Sequence, residues 1–98
     1  MKTQTFSLSL NNVSQYVIGI KKKQENAIYG IDCVLSNGYE LSIIKGRGTY
    51  SNKDTFEVAV IRDGYIAYDI TDGDVLGYQS AEQVRQLICK VGSLSTLK

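Results

Sequence analysis

A chain of 98 residues, 43% hydrophobic and 21% charged with a net charge of +1, has room for one small domain, residues 1–98, and not for a second. It contains no histidine, which removes the commonest general base and the commonest transition-metal ligand, and its two cysteines cannot by themselves make a four-ligand zinc site. No run of eighteen apolar residues occurs and the first residues show no signal-peptide core, so no membrane span is expected and the expected location is the cytoplasm.

The first expected strand, Thr3 to Leu10, places Phe6, Leu8 and Leu10 on one face by alternation. Residues 13–22 allow two readings. Val13, Tyr16, Val17 and Ile20 recur at helical spacing, whereas Gly19 and the β-branched run favour a strand. As a strand joined to the next by a four-residue connection, Lys23 to Asn26, this segment sets Ile20 opposite Tyr29, Ile18 opposite Ile31 and Tyr16 opposite Cys33. Gly19 then lies opposite Gly30 on the outer face.

Three Asn-Gly or Asp-Gly loops follow, Ser36-Asn37-Gly38, Arg62-Asp63-Gly64 and Thr71-Asp72-Gly73, each between alternating apolar runs. Paired residues share a sheet face, so a one-residue slip would turn apolar side chains outward. A three-residue loop at 36–38, with Gly38 left-handed, pairs Leu35 with Tyr39, Cys33 with Leu41 and Ile31 with Ile43. The same loop length at 62–64 pairs Val60 with Ile66, Val58 with Tyr68 and Phe56 with Ile70. Carried on to 71–73, it pairs Tyr68 with Leu76 and Ile66 with Tyr78.

Ser80-Ala81-Glu82-Gln83 has the form of a capping box. Ala81, Val84, Leu87, Ile88 and Val91 then recur on one helical face, and Gly92 stands where a left-handed cap is expected. The expected fold is α+β: an antiparallel meander of six or seven strands, strongly curved, with one helix over about 81–91 on its inner face. A helix of about 16 Å cannot cover six or seven strands about 4.8 Å apart. The sheet must therefore coil, recruit another segment or be completed by a second copy. Val17, Ile28, Val34, Ile44, Ile61 and Tyr65 make the expected outer face more apolar than solvent requires, which also points to a partner or a homodimer.

Residues 1–53 hold seven Lys and Arg against three acids, while 54–98 hold four against seven. Glu57, Asp63, Asp69, Asp72 and Asp74 are the candidate partner-binding residues, an acidic ribbon suited to steering toward a basic protein surface. In the three-residue register Glu57 faces Asp69, a destabilising like-charge pair. Asp69, Asp72 and Asp74 lack the spacing of a calcium loop, so no metal is expected. No cofactor is expected, and no catalytic residue: Cys33 and Cys89, read as reduced thiols, lack a histidine base. An alternative nucleic-acid surface consists of Lys21, Lys22 and Lys23 in an expected turn, with Lys45 and Arg47 of Lys45-Gly46-Arg47-Gly48.

The run DGYIAYDITDGDVLGYQSAEQVRQLI, within residues 54–91, resembles small proteins carried by phages and other mobile elements, including anti-CRISPR and related host-defence inhibitors, in architecture and charge. The resemblance implies a non-enzymatic inhibitor that occupies a partner's surface, its acidic groups standing in for nucleic-acid phosphates.

Overall fold

The computed structural model describes residues 7–97. A single 3₁₀ turn, Ser14–Tyr16, leads into β1 (Val17–Glu25), β2 (Ile28–Leu35), β3 (Glu40–Gly46), β4 (Phe56–Arg62), β5 (Tyr65–Ile66), β6 (Leu76–Gln79) and the helix α1 (Ala81–Gly92). All neighbouring strands run antiparallel in the order β1-β2-β3-β4-β5, and β6 also pairs with β4. The six strands and one helix are of the α+β class, and the sheet is open. β5 meets Ile61 and Arg62 while β6 meets Phe56 and Val58. The two short strands thus share one lane along the edge of β4.

The core is laid down in rows across the inner face. Ile31, Ile43, Val58 and Leu76 form one row, and Cys33, Leu41, Val60 and Ala67 the next. Both rows are buried apart from Leu76, which is partly so, and Val84, Leu87, Ile88 and Val91 of α1 close over them. Such aliphatic burial contributes roughly 1.5–3 kcal/mol per side chain. The rows begin on β1 with Lys22 and Ile20, where the cover runs out: Ile20 is 47% exposed. Five lanes are still too wide for one twelve-residue helix, about 18 Å long. The deficit is met partly by the entry segment, from which Leu8, Leu10, Val13 and Tyr16 pack on the core, and partly by leaving β1 wet. Of the expected first strand, Thr3 to Leu10, residues 3–6 lie outside the described residues, and 7–10 are irregular.

The Ser36–Gly38 loop has the expected register, with Cys33 opposite Leu41 and Ile31 opposite Ile43, and Gly38 at φ +97°. The other registers differ. Asn26 (φ +54°) and Ala27 form a two-residue turn that pairs Ile20 with Cys33 and Lys22 with Ile31. Lys21, Lys22 and Lys23 therefore lie in β1 rather than in a turn, and Gly30 faces Lys23 instead of Gly19. Residues 17–22 are strand, not helix, because β1 can pair with β2 along its whole length.

Asp63 (φ +53°) and Gly64 (φ +83°) likewise make a two-residue turn, so Ile61 faces Ile66 and Arg62 faces Tyr65. Both left-handed residues suit the turn type that matches strand twist. The one-residue slip carries Ala67 inward and Tyr68 outward. Thr71-Asp72-Gly73 is consequently no hairpin between strands. It belongs to an excursion, residues 67–75, that leaves the edge lane and returns to it. Glu57 does not face Asp69: across the β5/β6 lane it stands opposite Gly77 and Tyr78, and Asp69 meets Arg62 instead.

The excursion is anchored by Thr71, only 5% exposed, whose buried Oγ1 makes no hydrogen bond among the described residues. A buried hydroxyl without a partner costs free energy that a methyl of the same shape does not. Thr71→Val is therefore expected to raise stability by about 1 kcal/mol, read as a higher midpoint in urea denaturation.

The capping box is formed as the sequence implies: Ser80 Oγ accepts from the Gln83 N–H at 3.1 Å, and the Ser80 N–H donates to Gln83 Oε1 at 2.9 Å. Gly92 is not a left-handed cap. It is the last helical residue, and a Cβ there would stand 2.7 Å from the Tyr16 ring. Its lack of a side chain lets Tyr16 pack against the end of α1. Cys33 and Cys89 are free thiols. Burial, aided by the charge of Asp32, pushes the Cys33 thiol up to about 11.

Candidate functional site

Two surfaces concentrate chemistry, one on the β5/β6 edge and one at the end of the sheet where the β1–β2 turn meets the β3–β4 loop. At the edge, the fold uses the five candidate carboxylates in different ways. Asp69 accepts two hydrogen bonds from the Arg62 guanidinium, at 2.7 and 3.0 Å. That bidentate contact holds its carboxyl below the ordinary carboxylate range and raises the pKa of Arg62 in turn. Glu57 Oε1 accepts from the Tyr50 N–H at 2.9 Å, tying down the β3–β4 loop. Asp63, Asp72 and Asp74 are exposed and make no ion pair among the described residues. Asp63 and Asp72 (φ +57°) also serve their turns, and Asp74 Oδ1 accepts from the Val75 N–H.

Tyrosines stand among these acids. Tyr65 is 78% exposed and Tyr78 56%, with Tyr50 and Tyr68 also exposed. The register slip and the excursion put Tyr68 and Tyr78 outside a core that sequence alternation had assigned them. In β6, Gly77 and Tyr78 stand opposite the single residue Glu57, a bulge in which Tyr78 takes φ +54° and its N–H donates to Tyr50 O at 2.8 Å. An aromatic residue with positive φ is uncommon and costs roughly 1–2 kcal/mol. The bulge re-aims the side chain outward.

At the end of the sheet the apolar rows give way to a third row, Gln24, Tyr29 and Lys45. The β3–β4 loop folds beside this row and encloses an open cleft of about 420 Å³, lined by Tyr29, Lys45, Arg47, Ser51, Asn52 and Lys53 together with Gly46. Lys45 Nζ donates to Lys53 O at 2.8 Å and lies 4.6 Å from the centroid of the Phe56 ring. Arg47 and Lys53 make no ion pair among the described residues. The Arg47 N–H donates to Ala27 O at 3.3 Å, stitching the β1–β2 turn to the end of β3.

Comparisons with known protein families, with curated proteins and with solved structures found no match.

Of the candidate basic residues, the structure brings only Lys45 and Arg47 together. Lys23 Nζ donates to Asp32 and, at 2.7 Å, to Ser42 Oγ on the outer face, and Lys21 alternates to that same face beside Asp32. Lys22 lies on the inner face with Ile31. Sequence reasoning missed Lys53 and the place of Tyr29. The signal for Tyr29 lay in the register of β1 and β2, and for Lys53 in the folding back of the β3–β4 loop. Among the described residues, no three His, Cys, Asp or Glu side chains gather as metal ligands would, and no helix is long and apolar enough to cross a membrane.

Proposed function

We propose that this chain is a small non-enzymatic binding protein that docks on a basic surface of a protein partner through its β5/β6 edge. The observation that carries the reading is the mixture there of exposed tyrosines with Asp63, Asp72 and Asp74, carboxylates that form no ion pair among the described residues. Tyrosine gives large contact area and a polar tip, and is enriched where proteins meet. Unpaired carboxylates steer a basic partner into register. The left-handed Tyr78 supports the same reading: a backbone cost at an exposed aromatic residue makes sense where its side chain is used. On this view the chain acts as an inhibitor of the phage-borne kind it resembles, covering a surface of a nucleic-acid-handling complex that would otherwise meet phosphates. Its two free thiols suit the reducing cytoplasm.

The test uses amide variants, because Asn suits the left-handed turns at 63 and 72 and can keep the Val75 contact at 74. The triple variant Asp63→Asn, Asp72→Asn, Asp74→Asn is expected to melt near the wild type. It should bind the partner, captured from host cells and then purified, at least about tenfold more weakly, a loss of about 1.4 kcal/mol. Binding by the wild type should itself weaken as salt rises. Equal affinity of triple variant and wild type would remove the acidic edge from the mechanism.

A further inference from the structure

We propose that the cleft beside the β3–β4 loop is a nucleotide-binding site, which takes either a free nucleotide or one nucleotide unit of a single strand. This inference is independent of the acidic edge. Lys45, Arg47 and Lys53 converge on the cleft, and none of its lining residues is a carboxylate. Cations gathered without a counter-charge repel one another, and an anion between them removes the repulsion. Phosphate fits the donors present. Lys45 is fixed by the Lys53 carbonyl and the Phe56 ring and still has ammonium protons to donate. Arg47 offers a guanidinium fork with no side-chain partner among the described residues, a geometry that matches phosphate oxygens in pairs.

The remaining lining suits a base and a sugar. Tyr29 is half-buried, lines the cleft and stands next to Lys45 in the sheet register, so an aromatic face adjoins the phosphate donors. Stacking of a base on such a ring is tolerant of sequence and adds to backbone charge contacts. Asn52 Oδ1 is occupied by the Asp54 N–H and the Thr55 hydroxyl, leaving its amide protons to donate outward. A volume of about 420 Å³ lies within the ordinary range of small-ligand sites, roughly 300–1,000 Å³.

The experiment measures fluorescence anisotropy of a fluorescein-labelled oligothymidylate with the full chain at low salt, with thymidine 5′-phosphate and inorganic phosphate as competitors. Arg47→Gln and Lys53→Gln are each expected to weaken binding about fivefold or more and to lower the salt slope by about 0.7, the increment for one phosphate contact on a single strand. Tyr29→Leu should weaken binding about fivefold or more with the slope unchanged, and Tyr29→Phe, which keeps the ring, should bind like the wild type. Lys21→Gln, on the other face of the sheet, should bind within about twofold of the wild type. Displacement by thymidine 5′-phosphate as readily as by unlabelled oligonucleotide identifies the free nucleotide as the ligand. Much weaker displacement identifies the single strand, and either result upholds the site. Absence of binding, an equal loss in Lys21→Gln, or competition by inorganic phosphate as strong as by thymidine 5′-phosphate would overturn it.

Discussion

Asn37→Asp is expected to destabilise the chain by roughly 3–5 kcal/mol at neutral pH, a large share of the total stability of a domain this size. Asn37 is only 5% exposed. Its Nδ2 donates to Val91 O at 2.8 Å and Leu94 O at 3.1 Å, while its Oδ1 accepts from the Tyr39 N–H. One side chain thus joins the β2–β3 loop to the end of α1. A carboxylate there would lose both donated bonds and face carbonyl oxygens at the negative end of the helix dipole. Those surroundings raise the carboxyl pKa in the folded state above its unfolded value of about 3.9. The penalty is therefore full above the folded pKa and shrinks as pH falls through it toward the unfolded value. Urea denaturation between about pH 7 and about pH 4 should show Asn37→Asp regaining stability relative to wild type, whereas Asn37→Ala, lower by about 2 kcal/mol, should keep a constant deficit. A pH-independent Asn37→Asp deficit would show that the amide does not make these bonds.

Gly46→Ala is expected to cost roughly 3 kcal/mol. Gly46 has φ +132°, and a Cβ there would run into the Ala27 carbonyl oxygen with Ile28 Cα 3.0 Å away. The β1–β2 turn would have to move off the end of β3, breaking the bond from Arg47 N–H to Ala27 O. Gly48→Ala is the control, since φ is again positive, +83°, but nothing lies within 4 Å. It should cost about 1 kcal/mol, the backbone effect alone. Equal losses in the two variants, measured by denaturant midpoint, would mean that the clash with Ala27 is relieved at no cost.

These two residues also show what could be read from the chain. The Ser36–Gly38 register was legible because every alternative turned an apolar residue outward. The role of Asn37 was not, since its partners Val91 and Leu94 are more than fifty positions away and nothing local marks them. At Arg62–Gly64 both registers set Ile66 against a β-branched neighbour, Val60 in the one expected and Ile61 in the one that forms. Ala67, small enough to sit under α1, belongs to the register that forms. Three consecutive lysines read naturally as a turn, yet they extend β1, because an edge strand beyond the reach of the helix has no apolar face to fill. β6 pairs with β4 across the whole excursion, a contact that no nearby pattern announces.

The candidate surfaces were legible to the same extent. Charge alone singled out Glu57, Asp63, Asp69, Asp72 and Asp74, but only the fold reveals that Arg62 neutralises Asp69 and that Glu57 holds a loop. Lys45 and Arg47 could be picked from their glycine neighbours. Tyr29 and Lys53 join them through sheet register and loop closure, which composition does not encode.

The sharing of one edge lane by β5 and β6 has a consequence for how this protein can change. Ala67 is tied to Val60, and Leu76 to Val58, by separate contacts with β4. The segment between them is therefore uncoupled from the alignment of the sheet. Residues added or removed at its exposed tip, Asp72-Gly73, lengthen or shorten a loop whose closure entropy varies only logarithmically with length, and no strand has to shift in response. The edge is a variable cassette on a constant frame, able to change its exposed side chains while the rows of the core stay in place.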